Sequence, residues 1–251
     1  MESIWHAFQN AASSFADAIF RSLIKDDRYQ MLIDGLWMSL KLTIIAAIIG
    51  IIIGLLLAIV KLQDAHRPGE GRIRSTLRGW LVGFANGYIA VVRGTPAVVQ
   101  LLVIYFVVFG RLLSFIPLED YQMAALAFGI NSGAYVAEII RAGIMAVDKG
   151  QTEASRSLGL SQGATMRYVV IPQAIKNVLP ALGNEFIVLL KETSIAGYIG
   201  LRDLTKGATS IGAVAYDYMV PLLCVAFIYF LMTTTLAAGM NAIERRMRRG
   251  D

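Results

Sequence analysis

Long stretches of this chain carry no charged side chain and alternate with short segments rich in basic residues. The uncharged runs cover residues 42–60, 94–110, 121–137 and 218–243. Each approaches or exceeds the roughly 17 to 25 residues that a membrane-spanning helix requires. A fifth apolar segment, residues 178–199, is interrupted by Glu185, Lys191 and Glu192. The pattern therefore predicts an all-α integral membrane protein with about five transmembrane helices.

The composition of the chain and the pattern of its first 34 residues fit a single membrane domain. Of 251 residues, 56% are hydrophobic and 16% are charged, which is too little charge for an ordinary soluble domain. Apolar side chains such as Phe8, Ala11 and Phe15 recur at helical spacing within residues 1–34 and predict an interfacial amphipathic helix. No internal repeat or domain linker is visible, so we expect residues 1–251 to form a single transmembrane domain.

Basic residues predict how the chain is oriented in the membrane. The formal net charge is +5, and the positive side chains stand beside the predicted spans rather than in a nucleic-acid-binding motif. They are Lys61, Arg67, Arg72, Arg74 and Arg78, then Lys149, Arg156, Arg167 and Lys176, and finally Arg245, Arg246, Arg248 and Arg249. By the positive-inside rule these three segments are cytoplasmic, and residues 112–121, which lack Lys and Arg, lie outside. Five spans then place the N-terminus outside and the C-terminus in the cytoplasm; residues 72–92, a helix with a basic end, either lie flat or enter the membrane partly.

The sequence offers neither a metal-binding cluster nor a phosphate-binding loop. Cys224 is the single cysteine, and His6 and His66 have no metal-binding spacing. No Gly-x-x-x-x-Gly-Lys-Ser/Thr phosphate loop occurs. We therefore expect a non-enzymatic chain that binds no cofactor and hydrolyses no ATP. The first span, and not a cleaved leader, is expected to direct insertion.

A polar, glycine-broken segment within residues 148–178 separates two of the apolar ones. Helix-forming residues lead to Gly159, which can adopt the left-handed conformation that ends a helix, and Ser161 can cap a second helix that Pro172 interrupts. The segment is predicted to form a helix-turn-helix knob outside the bilayer, with Glu153 and Arg156 directed outward. The alternative is an ordinary amphipathic loop between two spans.

The knob resembles the cytoplasmic loop of ABC-transporter permeases, whose pattern is Glu-Ala-Ala, three residues, Gly, nine residues, then Ile-x-Leu-Pro. Glu153, Ala154, Gly159 and Pro172 match that pattern in register, and Ser155, Val169 and Ile171 replace Ala, Ile and Leu. Residues 93–96 with Gln100 and Leu101, residues 131–141 and residues 179–193 also resemble this family, in its branch for uptake of polar amino acids such as histidine, glutamine, glutamate and arginine.

The resemblance implies a type I ABC importer permease with a cytoplasmic coupling helix, in the bacterial inner membrane. Its ATPase-docking residues are then Glu153, Ala154, Ser155, Gly159 and Pro172. The implied partners are ATPase subunits that bind ATP and Mg, a second identical or homologous permease, an extracytoplasmic binding protein and the surrounding lipid. The implied substrate is a polar or charged amino acid, and nucleic acid is not a partner.

Polar residues inside the predicted spans are candidates for the substrate pathway. The candidates are Thr95, Asn131, Ser132, Tyr135, Glu138, Glu185 and Lys191. Asn131, Tyr135 and Glu138 share one helix face and together could hold a zwitterion. Two alternatives stay open: Glu138 pairs with Arg141, and Glu185 and Lys191 form salt bridges that hold two permeases together.

A second functional class accounts for the same intramembrane charges. An ion- or proton-coupled secondary amino acid transporter also places carboxylates and lysines within its spans. The absence of a repeated half weighs against it, since such carriers commonly have one. Which amino acid is carried, and whether the permeases form a homodimer or a heterodimer, is left open by the sequence.

Overall fold

The computed structural model describes residue 14, residues 16–62 and residues 72–248, which are almost entirely helical. The helices are α1 Tyr29–Leu62, α2 Arg72–Arg93, α3 Ala97–Leu112, α4 Asp120–Met145, α5 Lys149–Ser157, α6 Gln162–Thr165, α7 Ile171–Glu192, α8 Leu204–Ala215 and α9 Met219–Arg248. Shorter pieces are the π-helical turns Phe20–Ile24 and Met166–Val170 and the 3-10 turns Lys25–Asp27 and Thr193–Ile199. From Val103 onward α3 is π-helical.

Within the described residues, α1, α4 and α9 are each long and apolar enough to cross a membrane. The pair α2 and α3, bent by 110° at the break between Arg93 and Ala97, would make a fourth span. Helix α7 lies where the fifth span is predicted but is less apolar, because it carries Lys176 as well as the three charges near its end. It ends at Glu192 and not near residue 199, and its crossing of the membrane stays a prediction.

Small residues allow α1 and α4 to pack with their backbones in close contact. A Cβ added to Gly50 would lie 2.9 Å from the Cβ of Ser132, and one added to Gly133 would lie 2.6 Å from Ile53. Gly54 likewise faces Val136 with no room for a side chain. Close approach through small residues drives helix association in lipid, where helices gain little from the hydrophobic effect. This pair forms the centre of the fold.

Helix α1 begins earlier than the sequence pattern predicts. Residues 1–34 are predicted to contain a separate interfacial helix, but α1 already starts at Tyr29, after a turn in which Asp26 and Asp27 have positive φ. Gly35 lies inside this helix. Its backbone packs so closely against Asp203 and Leu204 that a Cβ would not fit there. The predicted amphipathic residues Phe8, Ala11 and Phe15 lie outside the described residues.

Residues 193–212 are polar and glycine-rich and predict a bend before an outer loop, but a helix follows the 3-10 turn Thr193–Ile199. Asp203 caps the start of helix α8. Its carboxylate accepts the Thr205 and Lys206 amide hydrogens at 2.9 and 3.2 Å. Ser39 of α1 accepts the Leu204 amide hydrogen at 3.1 Å. Asp203 is 0% exposed, and its burial raises the pKa of the carboxyl. The capping aspartate was the missed sequence signal for this helix.

Candidate functional site

The knob is a helix-turn-helix with capped helix ends. Asp148 caps α5 by accepting the Gly150 amide hydrogen at 2.8 Å. At the other end Gly159 has a φ of +84°, the Leu160 amide donates to Ser155 O at 3.2 Å, and the Gly159 amide donates to Arg156 O at 3.0 Å. These two bonds form a Schellman motif. The predicted helix end at Gly159 is confirmed.

The second half of the knob begins at Ser161, as its sequence indicates. The Ser161 hydroxyl accepts the Ala164 amide hydrogen at 3.2 Å at the start of α6. The helix then widens into the π-helical turn Met166–Val170 before Pro172, which occupies the first turn of α7. A proline there needs no donor, and the wider turn accommodates its ring. The predicted interruption is therefore a change of helical pitch and not a break.

The surface of the knob is mixed polar and apolar. Glu153, Ala154, Gly159 and Pro172 are exposed. Ser155 is buried, and its hydroxyl donates to Gln151 O at 2.6 Å, one turn earlier in α5, so within this chain it is directed into the fold and not outward. Arg156 donates to Leu160 O at 2.7 Å across the turn.

Two large apolar side chains also project from the knob. Leu158 is 84% exposed and Tyr168 is 66% exposed. Exposed apolar groups beside polar ones are typical of a protein-protein contact surface. Neither residue stands at a specified position of the docking pattern that the sequence matches.

Gln100 links Asn131 to Thr95 by hydrogen bonds and is not among the pathway candidates from the sequence. Asn131 is 3% exposed, and its Nδ2 donates to Gln100 Oε1 at 2.9 Å. Gln100 Nε2 in turn contacts Val92 O at 2.7 Å and Thr95 Oγ1 at 2.8 Å. This amide network ties the break between α2 and α3 to the middle of α4. Only the fold reveals it, since Gln100 and Asn131 are distant in sequence.

The same break also contacts α4 one turn further along. The Arg93 guanidinium lies 5.5 Å from the centre of the Tyr135 ring, within the range of a cation-π contact. Tyr135 therefore faces Arg93, and Asn131 faces Gln100, on the side of α4 that packs against the break.

Glu138 is the centre of an ion triad. Its Oε1 lies 2.6 Å from Lys61 Nζ of α1, and its Oε2 lies 2.7 Å from Arg141. The ion pair with Arg141 was one alternative from the sequence, and Lys61 is an additional partner that joins α1 to α4. Because Lys61 and Arg141 each bind one carboxylate oxygen, the charge of Glu138 is compensated by contacts within the fold.

Glu185 and Lys191 lie on different sides of α7. Ser132 donates to Glu185 Oε1 at 2.9 Å, beside a cavity of about 40 Å³ between α1, α4 and α7. Lys191 is exposed, and no residue of the described ranges forms an ion pair with it. Within one chain the structure thus brings Ser132 and Glu185 together and leaves Lys191 apart from them.

Comparison with known proteins identifies the family. The profile of the family described as binding-protein-dependent transport system inner membrane component matches residues 73–249. The chain belongs to this family. It is a permease of the ABC type and not an ion- or proton-coupled secondary transporter.

Individual relatives cover nearly the whole chain. The arginine transport system permease protein ArtQ of Bacillus subtilis is 40% identical over 88% of this chain and 94% of its own length. The glutamine transport system permease protein GlnP of Escherichia coli is 34% identical over 87% of this chain and 93% of its own. Both alignments extend well beyond the motifs recognised in the sequence.

Solved structures confirm the predicted architecture. A crystal structure of an amino acid ABC transporter with histidines matches with a TM-score of 0.76 at 47% identity, over 87% of this chain and 94% of that one. The MetNI methionine ABC transporter in an inward-facing conformation matches with a TM-score of 0.68 at 19% identity, over 88% and 98% of the two chains, and supports the fold alone. The chain has the type I importer permease fold.

Proposed function

We propose that this permease forms the translocation pathway of an importer for polar or charged amino acids. A second identical or homologous permease completes the pathway, and separate subunits that bind ATP and Mg supply the energy. An extracytoplasmic binding protein delivers the substrate. The names of the relatives, which specify arginine, glutamine and histidines, support this substrate class.

The observation that carries the proposal is the capped knob. Its exposed positions, Glu153, Ala154, Gly159 and Pro172, are those that match the docking pattern of the permease family. Leu158 and Tyr168 add exposed apolar side chains to the same helix-turn-helix. A preformed surface loses little entropy on binding, which suits a site that must transmit force to an ATPase.

The chain is oriented with its knob in the cytoplasm, its N-terminus outside and its C-terminus inside. The knob and the end of α9 carry most of the basic residues that determine orientation. Docking to a cytoplasmic ATPase requires the same arrangement.

The candidate pathway residues divide by exposure within the single chain. Thr95 and Lys191 are exposed, Tyr135, Glu138 and Glu185 are partly buried, and Asn131 and Ser132 are buried. We propose that Thr95 and Lys191 face the pathway directly. The buried residues hold the helices that form its wall, and reach substrate only if these helices separate.

ATP hydrolysis in lipid vesicles tests the proposal. The permease, its ATPase and its binding protein are reconstituted, and each amino acid is added in turn. One or a few amino acids should stimulate hydrolysis. If the ATPase does not co-purify with the permease and no amino acid changes hydrolysis, the proposal is wrong.

A charge reversal on the knob tests docking specifically. Glu153→Arg should reduce co-purification of the ATPase and the stimulated hydrolysis without loss of membrane insertion. Asp34→Arg is the matched control, because Asp34 is an exposed carboxylate on α1, far from the knob in the predicted topology. Equal behaviour of the two variants would argue against docking at Glu153.

A further inference from the structure

The outer half of α7 exposes only polar side chains. From Pro180 to Glu192 every residue is buried or partly buried except Asn184 and Lys191. Asn177, one heptad before Asn184, is also exposed. Residues seven apart lie almost above one another on a helix, so these three form a line about 21 Å long.

This line does not resemble the lipid-facing surfaces of the same protein. Helix α1 exposes Ile44, Ile48, Ile52 and Leu55, and helix α9 exposes Leu222, Leu223, Phe227 and Phe230. An amide or ammonium group directed into hydrocarbon is strongly unfavourable and is normally directed into protein or water. The polar line of α7 is therefore not a lipid-facing surface.

Few of the polar atoms of Asn177, Asn184 and Lys191 are used in hydrogen bonds or ion pairs within the described residues. Asn177 Nδ2 has one long contact, 3.4 Å to Gly143 O. In the part of the chain that the structure describes, no hydrogen bond reaches the Asn184 amide. Lys191 has no ion-pair partner there either, as noted above. The two residues nearest the outer end thus have unused donors, and Asn184 an unused acceptor.

A polar cavity continues the line at its inner end. The cavity has a volume of about 780 Å³ and is lined by Asn177, Lys176 and Gln173 of α7, by Asp148 and Gln151 of the knob, and by Glu244 of α9. Asn177 belongs both to the line and to the cavity wall. The polar surface therefore runs from near the outer end of α7 to the knob.

Water and a second permease are the two possible neighbours of this line. A second copy packed against it across a two-fold axis along the membrane normal would place the two Lys191 ammonium groups at the same depth, and the line itself offers no carboxylate to compensate them. Their repulsion would be severe in a dry contact and small in water. The charge of Lys191 thus favours a water-filled space.

We infer that Asn177, Asn184 and Lys191 are the pathway-facing line of this permease, and that the 780 Å³ cavity is its cytoplasmic exit. The inference rests on the proposed function and assigns the substrate contacts to named groups. Lys191 binds the carboxylate of the amino acid, and the Asn184 amide exchanges hydrogen bonds with it at mid-membrane. Asn177 releases it beside the knob, where the ATPase docks.

Thiol accessibility in the reconstituted importer tests the line. In a Cys224→Ala background, Asn184→Cys is compared with Phe227→Cys, a lipid-exposed position at a similar distance from the outer end of its helix. The charged reagent sulfonatoethyl methanethiosulfonate reacts with thiols in water. We expect it to modify Asn184→Cys and abolish amino-acid-stimulated hydrolysis, to react more slowly when substrate is present, and to leave Phe227→Cys unmodified.

Two outcomes would overturn the inference. One is that Asn184→Cys resists the reagent as Phe227→Cys does. The other is that oxidation joins two permeases through Asn184→Cys while the reagent has no access, which would make the line a subunit contact. Failure of the proposed function is a separate result, because it appears as absent stimulation in the unsubstituted complex.

Lys191 provides a second test that does not depend on Asn184. Lys191→Cys should raise the KM for the amino acid by about tenfold, the loss expected for one hydrogen bond between charged groups. Aminoethyl methanethiosulfonate restores a positive side chain and should restore the KM, whereas the sulfonatoethyl reagent should not. Equal effects of the two reagents, or no effect of the substitution, would contradict the role of Lys191.

Discussion

Gly159 and Gly163 stand four residues apart in the knob and differ in backbone conformation. Gly159 has a φ of +84°, while Gly163 lies in α6 with an ordinary helical φ. A Cβ would meet no other group within 4 Å at either position. Replacement by alanine therefore isolates the effect of the backbone.

Gly159→Ala should destabilise the turn by about 1–2 kcal/mol, the cost of a left-handed conformation with a Cβ. Gly163→Ala should be neutral or stabilising by up to about 1 kcal/mol, since alanine is the better helix former. Co-purification of the ATPase should fall for the first variant alone. Equal ATPase recovery with both alanines would show that the shape of the turn is not required.

Glu138 offers a prediction that separates a structural role from a pathway role. Removing one partner from a partly buried ion group leaves the remaining charges uncompensated. Glu138→Gln should lower the free energy of unfolding by about 1–2 kcal/mol, a small value because solvent screens the partly exposed triad. It should leave the KM for the amino acid unchanged. Thermal unfolding in detergent and transport in vesicles measure the two quantities.

The control for Glu138 is the double variant Lys61→Met/Glu138→Met. It removes an acid and a base together and should recover part of the lost stability. A raised KM in Glu138→Gln at unchanged stability would instead place Glu138 in the pathway.

At the scale of elements, hydrophobic runs and helix signals predicted most of the helices correctly. The knob was predicted down to its Gly159 turn and Ser161 cap, because both depend on local backbone chemistry. Helix α8 was missed because its cap, Asp203, stands in a glycine-rich polar segment that resembles a loop. Such a segment becomes helical here through packing against α1.

The candidate site was less predictable than the helices. Periodicity correctly placed Asn131, Tyr135 and Glu138 on one face of α4, but it does not say what that face contacts. Gln100, Arg93 and Lys61 fill those positions from distant parts of the chain. Exposure, which identifies Asn184, likewise depends on all neighbouring helices.

The packing of α1 against α4 gives a prediction at the same scale. Gly50→Ile would press a branched side chain into Ser132, and overpacking of this kind costs typically about 1–3 kcal/mol and sometimes more. Gly239→Ile on α9 is the control, because nothing lies within 4 Å of its added Cβ. We expect a lower melting temperature for Gly50→Ile only, and a similar decrease in both would mean that α1 and α4 are not closely packed.

At the scale of the whole molecule, the apolar part of the knob should contribute to assembly. Leu158→Ser should weaken ATPase binding by about 1–3 kcal/mol, the value of burying one large apolar side chain. Its control is Tyr216→Asn, which removes a 95% exposed aromatic at a left-handed position that asparagine tolerates.

Binding of the ATPase to the permease in detergent, measured by titration, compares the two variants. Only Leu158→Ser should show a higher Kd, and an unchanged Kd would remove Leu158 from the contact.

The π-helical turn before Pro172 keeps the backbone helical without interruption from the knob to the far end of α7. Residues 162–192 therefore follow one helical path about 46 Å long, at about 1.5 Å per residue, with Pro180 inside it. Where this path moves as one body, a tilt of about 5° at the cytoplasmic end displaces the far end by about 4 Å, more than the width of a water molecule. In the proposed importer, a small rocking motion of the knob on its ATPase would therefore move the outer end of α7 far enough to open or close a passage for an amino acid.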